Sequence, residues 1–112
     1  MIEIMNITAD PYQRHVITTD TAPITLLLRY YPRAQFWTLS VEYRGVECNG
    51  LKLSNGVLHM RSRNLPFDFI VVDTGGNGID PFSVDDFSTG RCRMLMLERA
   101  DMESVRGQPV PL

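Results

Sequence analysis

The feature that most constrains this chain is the segment at positions 35–43, in which apolar and polar residues alternate strictly from Trp37 to Tyr43. Successive side chains of a strand point to opposite faces, so every second residue lies on the same face. The apolar face of this segment holds Trp37, Leu39, Val41 and Tyr43. An alternating strand packs one face on a core and turns the other to solvent. The sequence therefore predicts a half-buried β-strand and a sheet with one buried face.

Two further strand-like segments flank this one, at residues 24–31 and 46–53. The core-facing residues of the first are expected to be Ile24, Leu26, Leu28 and Tyr30. Residues 32–34 predict a short hairpin loop, and Gly45 predicts a tight turn because glycine adopts positive φ without steric cost. An Asn-Gly dipeptide ending at Gly50 predicts a bulge or a second bend. The three segments should form an antiparallel meander.

The rest of the chain continues the β pattern. Strand signals recur at residues 15–19, 67–72 and 91–99, a short apolar piece lies at 57–60, and polar loops lie at 61–66 and 73–89. We find no convincing helical periodicity. Several short strands with turn signals between them predict an all-β fold, a small antiparallel barrel or sandwich of about 6–8 strands. The expected organisation is a single β domain over residues 1–99 and an extended tail over 100–112.

Composition limits the possible partners. The chain of 112 residues is 44% hydrophobic and 21% charged, as in ordinary globular domains. Its formal net charge of -2 gives no basic excess for nucleic-acid binding. The N-terminus does not have the pattern of a signal peptide, and the apolar runs are too short to cross a bilayer. Cys48 and Cys92 lie far apart and are expected to be free, buried thiols in a reducing compartment.

One motif points to catalysis. Asp73-Thr74-Gly75 follows two valines, and this arrangement is the signature of aspartic proteases, in which two carboxylates share a proton. A retroviral-type enzyme supplies one aspartate from each subunit of a homodimer. In those enzymes the aspartate comes early and a flap hairpin follows, whereas here only a polar loop, one strand and a tail come after Asp73. We therefore expect no enzyme, and keep an aspartic protease-like hydrolase that uses Asp73 in a homodimer as the alternative.

Ion and cofactor sites are weakly supported. An EF-hand loop starting at Asp73 would need an acidic or amide side chain at Gly75 and a glutamate at Val84. His15, His59 and the two cysteines have no common zinc spacing. The segment 75–78 lacks the lysine and the helix of a phosphate-binding loop. We expect no metal and no cofactor.

The best candidates for partner contacts are the long loop and two aromatic residues. The loop over 73–89 is long, polar and rich in glycine, which is typical of binding loops. Its candidate contact residues are Asp73, Gly75, Gly76, Asn77, Gly78, Asp80, Asp85 and Asp86. Tyr31 and Phe36 fall on the face opposite the core and could form an exposed apolar patch.

Several segments together resemble the phage baseplate plug family, named for a domain from a cyanophage tail. They are Asp10-Pro11-Tyr12-Gln13-Arg14-His15, Leu26-Leu28-Arg29-Tyr30, Phe36-Trp37-Thr38-Leu39, Gly50-Leu51-Lys52-Leu53, the loop from Val72 to Pro81, Asp85-Asp86-Phe87 and Arg91-Cys92-Arg93-Met94-Leu95. The resemblance covers roughly residues 10–98. Segment 61–69 is less similar, and the tail is not covered.

The resemblance implies a virion structural protein without catalysis, located in the tail baseplate and assembled in the host cytoplasm. It implies contacts with the hub, the end of the tape-measure protein and neighbouring ring proteins, and homo-oligomers within the assembly. The net charge and the short apolar runs, separately from the resemblance, predict no nucleic-acid specificity and no membrane contact. An interaction module in another intracellular complex is the second structural hypothesis.

Overall fold

The structure, a computed structural model, describes residues 2–19, 21–60 and 65–98. This part of the chain is a β-sandwich of seven strands in two antiparallel sheets. The strands are β1 (Ile2–Glu3), β2 (Tyr12–Ile17), β3 (Ile24–Tyr31), β4 (Phe36–Tyr43), β5 (Val46–Lys52), β6 (Phe67–Asp73) and β7 (Cys92–Glu98). The large sheet has the order β2-β3-β4-β5 and the small sheet the order β1-β7-β6. The sheets do not close into a barrel, so the sandwich is the correct one of the two predicted architectures.

The predicted meander is the centre of the large sheet. Its first turn takes in Gln35, whose φ is 54°, so the loop is one residue longer than expected. Its second turn has φ of 49° at Arg44 and 80° at Gly45, which is the two-residue hairpin turn that matches strand twist. The register shifts between Leu39 and Val41, where β5 carries the extra residue of the predicted bulge.

Three features that the sequence did not predict arise from hydrogen bonding between separate segments of the chain. β1 has only two residues, which pair with Met96 and Leu95 of β7. β2 begins at Tyr12, three residues before the predicted start, because Tyr12 already pairs with Arg29 of the antiparallel strand β3. Segment 55–59 lies along the free edge of β6, where Gly56 N donates to Val71 O at 2.8 Å. The small sheet is therefore covered at this edge.

The core lies between the two sheets and confirms the predicted parity. The large sheet contributes Ile24, Leu26, Leu28, Trp37, Leu39 and Val41, and the small sheet Phe67, Phe69, Val71, Met94 and Met96, all at most 5% exposed. Tyr43 meets Phe67 across the core edge-to-face, with ring centroids 5.0 Å apart. Cys48 and Cys92 are buried free thiols, as predicted. The predicted tail and most of the predicted 61–66 loop lie outside the described residues.

Candidate functional site

The β6–β7 loop, residues 74–91, is packed against one end of the sandwich. Phe87 is buried and meets Trp37 edge-to-face, with ring centroids 5.5 Å apart. The Trp37 Nε1–H donates to the carbonyl of Ser83 at 3.0 Å, and the Tyr30 hydroxyl donates to the carbonyl of Phe82 at 2.8 Å. Two aromatic residues of the core thus hold the loop backbone in place. The segment that the sequence predicted as a long polar binding loop is therefore folded onto the sandwich, and we call it the platform.

Arg91 and Asp86 form the centre of this loop. The Asp86 carboxylate accepts hydrogen bonds from Arg91 Nε at 2.8 Å and Nη2 at 2.8 Å, in a bidentate pair. It also accepts from the backbone N–H groups of Phe82 at 2.7 Å and Ser83 at 2.8 Å. Burial alone would raise the pKa of Asp86, but the hydrogen bond from Arg91 and the backbone donors outweigh it and lower the pKa. The bond to Asp86 in turn raises the pKa of Arg91.

Asp73 closes the other end of the loop. Its carboxylate accepts from Ile79 N at 3.0 Å and Gly75 N at 2.9 Å, and these backbone donors lower its pKa. Arg91 Nη1 lies 3.7 Å from Asp73 Oδ1. The side chain is 3% exposed. Two of the predicted contact residues, Asp73 and Asp86, therefore use their carboxylates to accept hydrogen bonds from the backbone of the loop itself.

The other predicted contact residues of the loop are exposed. They are Gly75, Gly76, Asn77, Gly78, Asp80 and Asp85. Asp80 also accepts a hydrogen bond from Asn55 N at 2.8 Å, which ties the loop to the segment that follows β5. Two exposed apolar side chains stand among these residues, Ile79 at 47% and Phe82 at 46%.

The sequence did not identify Ile79, Phe82 or Arg91 as candidate functional residues. The signal available for Arg91 was its position as the only basic residue between Asp73 and Cys92, in a segment with several carboxylates. Ile79 and Phe82 are two of the few large apolar residues of that segment, and they flank a buried proline, Pro81.

Tyr31 and Phe36 lie apart from the loop residues, on the outer face of the large sheet. They pair across β3 and β4, and their rings stack with centroids 5.1 Å apart and an angle of 26°. The Arg29 guanidinium lies 4.9 Å from the Tyr31 ring centroid, and Lys52 Nζ lies 5.6 Å from that of Phe36. Both rings are half-buried, so the patch is an aromatic stack flanked by two cations.

The candidate ion ligands are dispersed. Over the ranges 2–19, 21–60 and 65–98, no three His, Cys, Asp or Glu side chains come together as a metal site would require. His59 Nδ1 lies 2.8 Å from the carbonyl of Phe69, and His15 Nε2 lies 2.7 Å from the side chain of Gln13. Burial raises the pKa of Cys92 to about 11, which disfavours a thiolate ligand. The same ranges contain no helix long and apolar enough to span a membrane.

Comparison with known proteins accounts for the whole described sandwich and its loop. The family model described as "Cyanophage baseplate Pam3 plug gp18" matches residues 1–99. The chain belongs to this family. The predicted resemblance is thereby confirmed, and membership of the baseplate plug family gives the chain a structural role in a phage tail baseplate. A search of curated proteins found no match.

Proposed function

We propose that the chain acts as a central plug of the tail baseplate through protein–protein contacts and without catalysis. Its partners are the hub, the end of the tape-measure protein, neighbouring ring proteins and further copies of itself, and assembly takes place in the host cytoplasm. The observation that supports this proposal is the β6–β7 loop, which combines a fixed backbone with the exposed side chains of Ile79 and Phe82.

A fixed loop is a favourable contact surface because its backbone loses little conformational entropy when a partner binds. Trp37 and Tyr30 hold the loop from the core side, and Asp86 and Arg91 hold it from within. Phe82 lies under the Arg91 guanidinium, 4.9 Å from ring centroid to Cζ, so its ring is oriented before any partner arrives. Aromatic residues, phenylalanine among them, are enriched in protein–protein interfaces relative to the rest of the surface.

The hydrolase alternative has little support from the geometry of Asp73. A protease dyad needs a carboxyl group that can hold a shared proton. The backbone donors Ile79 N and Gly75 N, together with nearby Arg91, hold the pKa of Asp73 below its usual value and favour the charged form. Peptide cleavage by the purified chain that is abolished by Asp73→Asn would restore the hydrolase hypothesis.

The contact role is tested by Ile79→Ser and Phe82→Ser together, in a phage or phage-derived tail system that encodes the chain. Val57→Ser is the matched control, because Val57 is 49% exposed and lies outside the loop. We expect the double variant to fold with an unchanged circular dichroism spectrum but to be missing from purified tails, with infectivity reduced about 100-fold or more, as for the loss of two interface anchors. Normal incorporation of the double variant would refute the proposal.

A further inference from the structure

The outer face of the large sheet carries opposite charges at its two ends. Cross-strand pairing aligns Arg29 with Thr38 and Thr38 with Lys52, which makes a cationic row. Four residues farther along the strands, Glu42 of β4 stands opposite Glu47 of β5, which makes an acidic row. Strands rise about 3.3 Å per residue, so the two rows are about 13 Å apart. All four charged side chains are exposed.

The acidic row is unfavourable in an isolated chain. Like charges directly opposite each other on neighbouring strands repel. Glu42 and Glu47 stand in this position, and neither has an ion pair among the residues that the structure describes. A cation supplied from outside the chain would relieve the repulsion.

The two cations of the cationic row are oriented by aromatic rings, and their positive charges are not neutralised by a carboxylate within the described ranges. Arg29 and Lys52 lie against the stacked rings of Tyr31 and Phe36, and within the described ranges neither cation pairs with a carboxylate. Cation–π contact orients a cation but leaves its charge available to an anion. Orientation before binding lowers the entropic cost of an interface.

Between the two rows, Leu27 of β3 pairs with Arg14 of β2 and with Ser40 of β4, and a shallow cleft lies at the acidic end of this middle row. The cleft has a volume of about 80 Å³ and is lined by Thr25, Leu27, Ser40, Val41, Glu42, Glu47 and Asn49. Drug-sized ligands need at least about 300 Å³, whereas one water takes about 30 Å³ of liquid, so the cleft suits the end of one side chain. At the rim, Val16 and Tyr12 of β2 are 53% and 59% exposed.

We propose that two copies of this chain pack these faces together about a two-fold axis that runs across the strands at the level of Leu27. This rotation reverses the strand direction, so the Lys52 ammonium enters the cleft beside Glu47 of the second copy and Arg29 approaches Glu42 of the second copy. A two-fold axis along the strands would instead lay each acidic row on the other. Charge therefore selects one of the two in-plane symmetric arrangements, an isologous dimer.

The expected association is modest and sensitive to salt. Four strands spaced about 4.8 Å apart and about eight residues long present about 500 Å² per copy, or about 1,000 Å² in total, which is the low end for specific interfaces. Exposed ion pairs weaken as the Debye length shortens. One contact opposes the arrangement: Arg14 pairs with Leu27 in the middle row, so the two Arg14 side chains approach each other at the rim.

The inference rests on the proposed function in one respect, since it assigns a surface to the contact between like copies. It is tested on the purified chain alone, without a phage. The variants Ile79→Ser and Phe82→Ser should leave self-association unchanged, because these residues lie outside the large sheet. Failure in virion assembly and failure in self-association are therefore separate results.

Charge reversal provides the test, with sedimentation velocity at low salt as the assay. The wild-type chain is expected to dimerise, and Lys52→Glu or Glu47→Lys alone to raise the dimer dissociation constant about tenfold or more. An equimolar mixture of the two single variants, and the double variant, should regain wild-type affinity, because both restore opposite charges at each contact. Arg44→Glu, the same reversal in the exposed β4–β5 turn, should change nothing, and Arg14→Gln should strengthen the dimer.

Three results would overturn the inference. The first is a wild-type chain that stays monomeric up to about millimolar concentration, where even a weak interface of this size should be populated. The second is dimerisation that Lys52→Glu and Glu47→Lys leave intact. The third is loss of dimerisation in both single variants with no recovery of dimerisation in their equimolar mixture, since a two-fold arrangement requires that recovery.

Discussion

Asp86→Asn should destabilise the domain strongly although it changes one atom. The carboxylate accepts from two donor atoms of Arg91 and from the N–H groups of Phe82 and Ser83. An asparagine can keep its oxygen on the side of Phe82 and Ser83, but its NH₂ group then faces the Nε–H of Arg91, donor against donor. The side chain is 5% exposed, so water cannot easily replace the lost partner.

The magnitude follows from the burial of the two partners. Losing a hydrogen bond between charged groups costs about 1.5–3 kcal/mol, and breaking a fully buried ion pair about 3–5 kcal/mol. Arg91 is 25% exposed, which places the cost near the lower end of the second range, at about 3 kcal/mol. For a domain of this size the midpoint of thermal unfolding should fall by about 10–20 °C.

The assay is urea unfolding followed by the fluorescence of Trp37, which is the single tryptophan and contacts Phe87 of the loop. Asp85→Asn is the matched control, since it removes the same charge from an exposed side chain whose partner is the Ser83 hydroxyl. We expect the control to stay within about 0.5 kcal/mol of wild type. If Asp86→Asn were as stable as Asp85→Asn to within about 1 kcal/mol, the Asp86–Arg91 pair would not be what holds the loop.

Three further predictions follow from the geometry. The depressed pKa values of Asp73 and Asp86 add stability that is complete above their unfolded value near pH 4 and is lost as pH falls through the folded values, so a urea midpoint that stays unchanged to about pH 2.5 would contradict them. Gly45→Ala should cost about 1–2 kcal/mol in urea unfolding, purely from its φ of 80°, because no atom lies within 4 Å of the added methyl group. Cys48 and Cys92, each 1% exposed, should react with a thiol reagent about 100-fold more slowly in the folded chain than in urea.

The three central strands of the large sheet could be predicted from the local sequence pattern, because their burial and their turns depend on residues close together in sequence. The alternation around Trp37 and Leu39 determines which face is buried, and Gly45 and Gly50 determine the turn and the bulge. β1 could not be predicted, because Ile2 and Glu3 become a strand only through pairing with distant β7.

The loop shows where sequence reasoning stops. Its length, glycines and acids correctly indicated a non-repetitive segment, but composition does not distinguish a carboxylate that meets a partner from one that holds its own backbone. For Asp86 that distinction depends on Arg91, five positions later in the sequence, whose Nε lies 2.8 Å from Asp86 Oδ1. The stacking of Tyr31 on Phe36 likewise depends on register across a hairpin.

The hydrogen bonds from Trp37 and Tyr30 to loop carbonyls separate the shape of the platform from its surface chemistry. The core determines the outline of the platform, whereas the side chains of Ile79 and Phe82 are exposed on its outer surface, where the Phe82 ring also contacts the Arg91 guanidinium. Under the proposed contact role, a change of neighbour requires changes at only a few outward residues while the interior stays the same. A substitution at Trp37, by contrast, would change the shape of the platform from the core side.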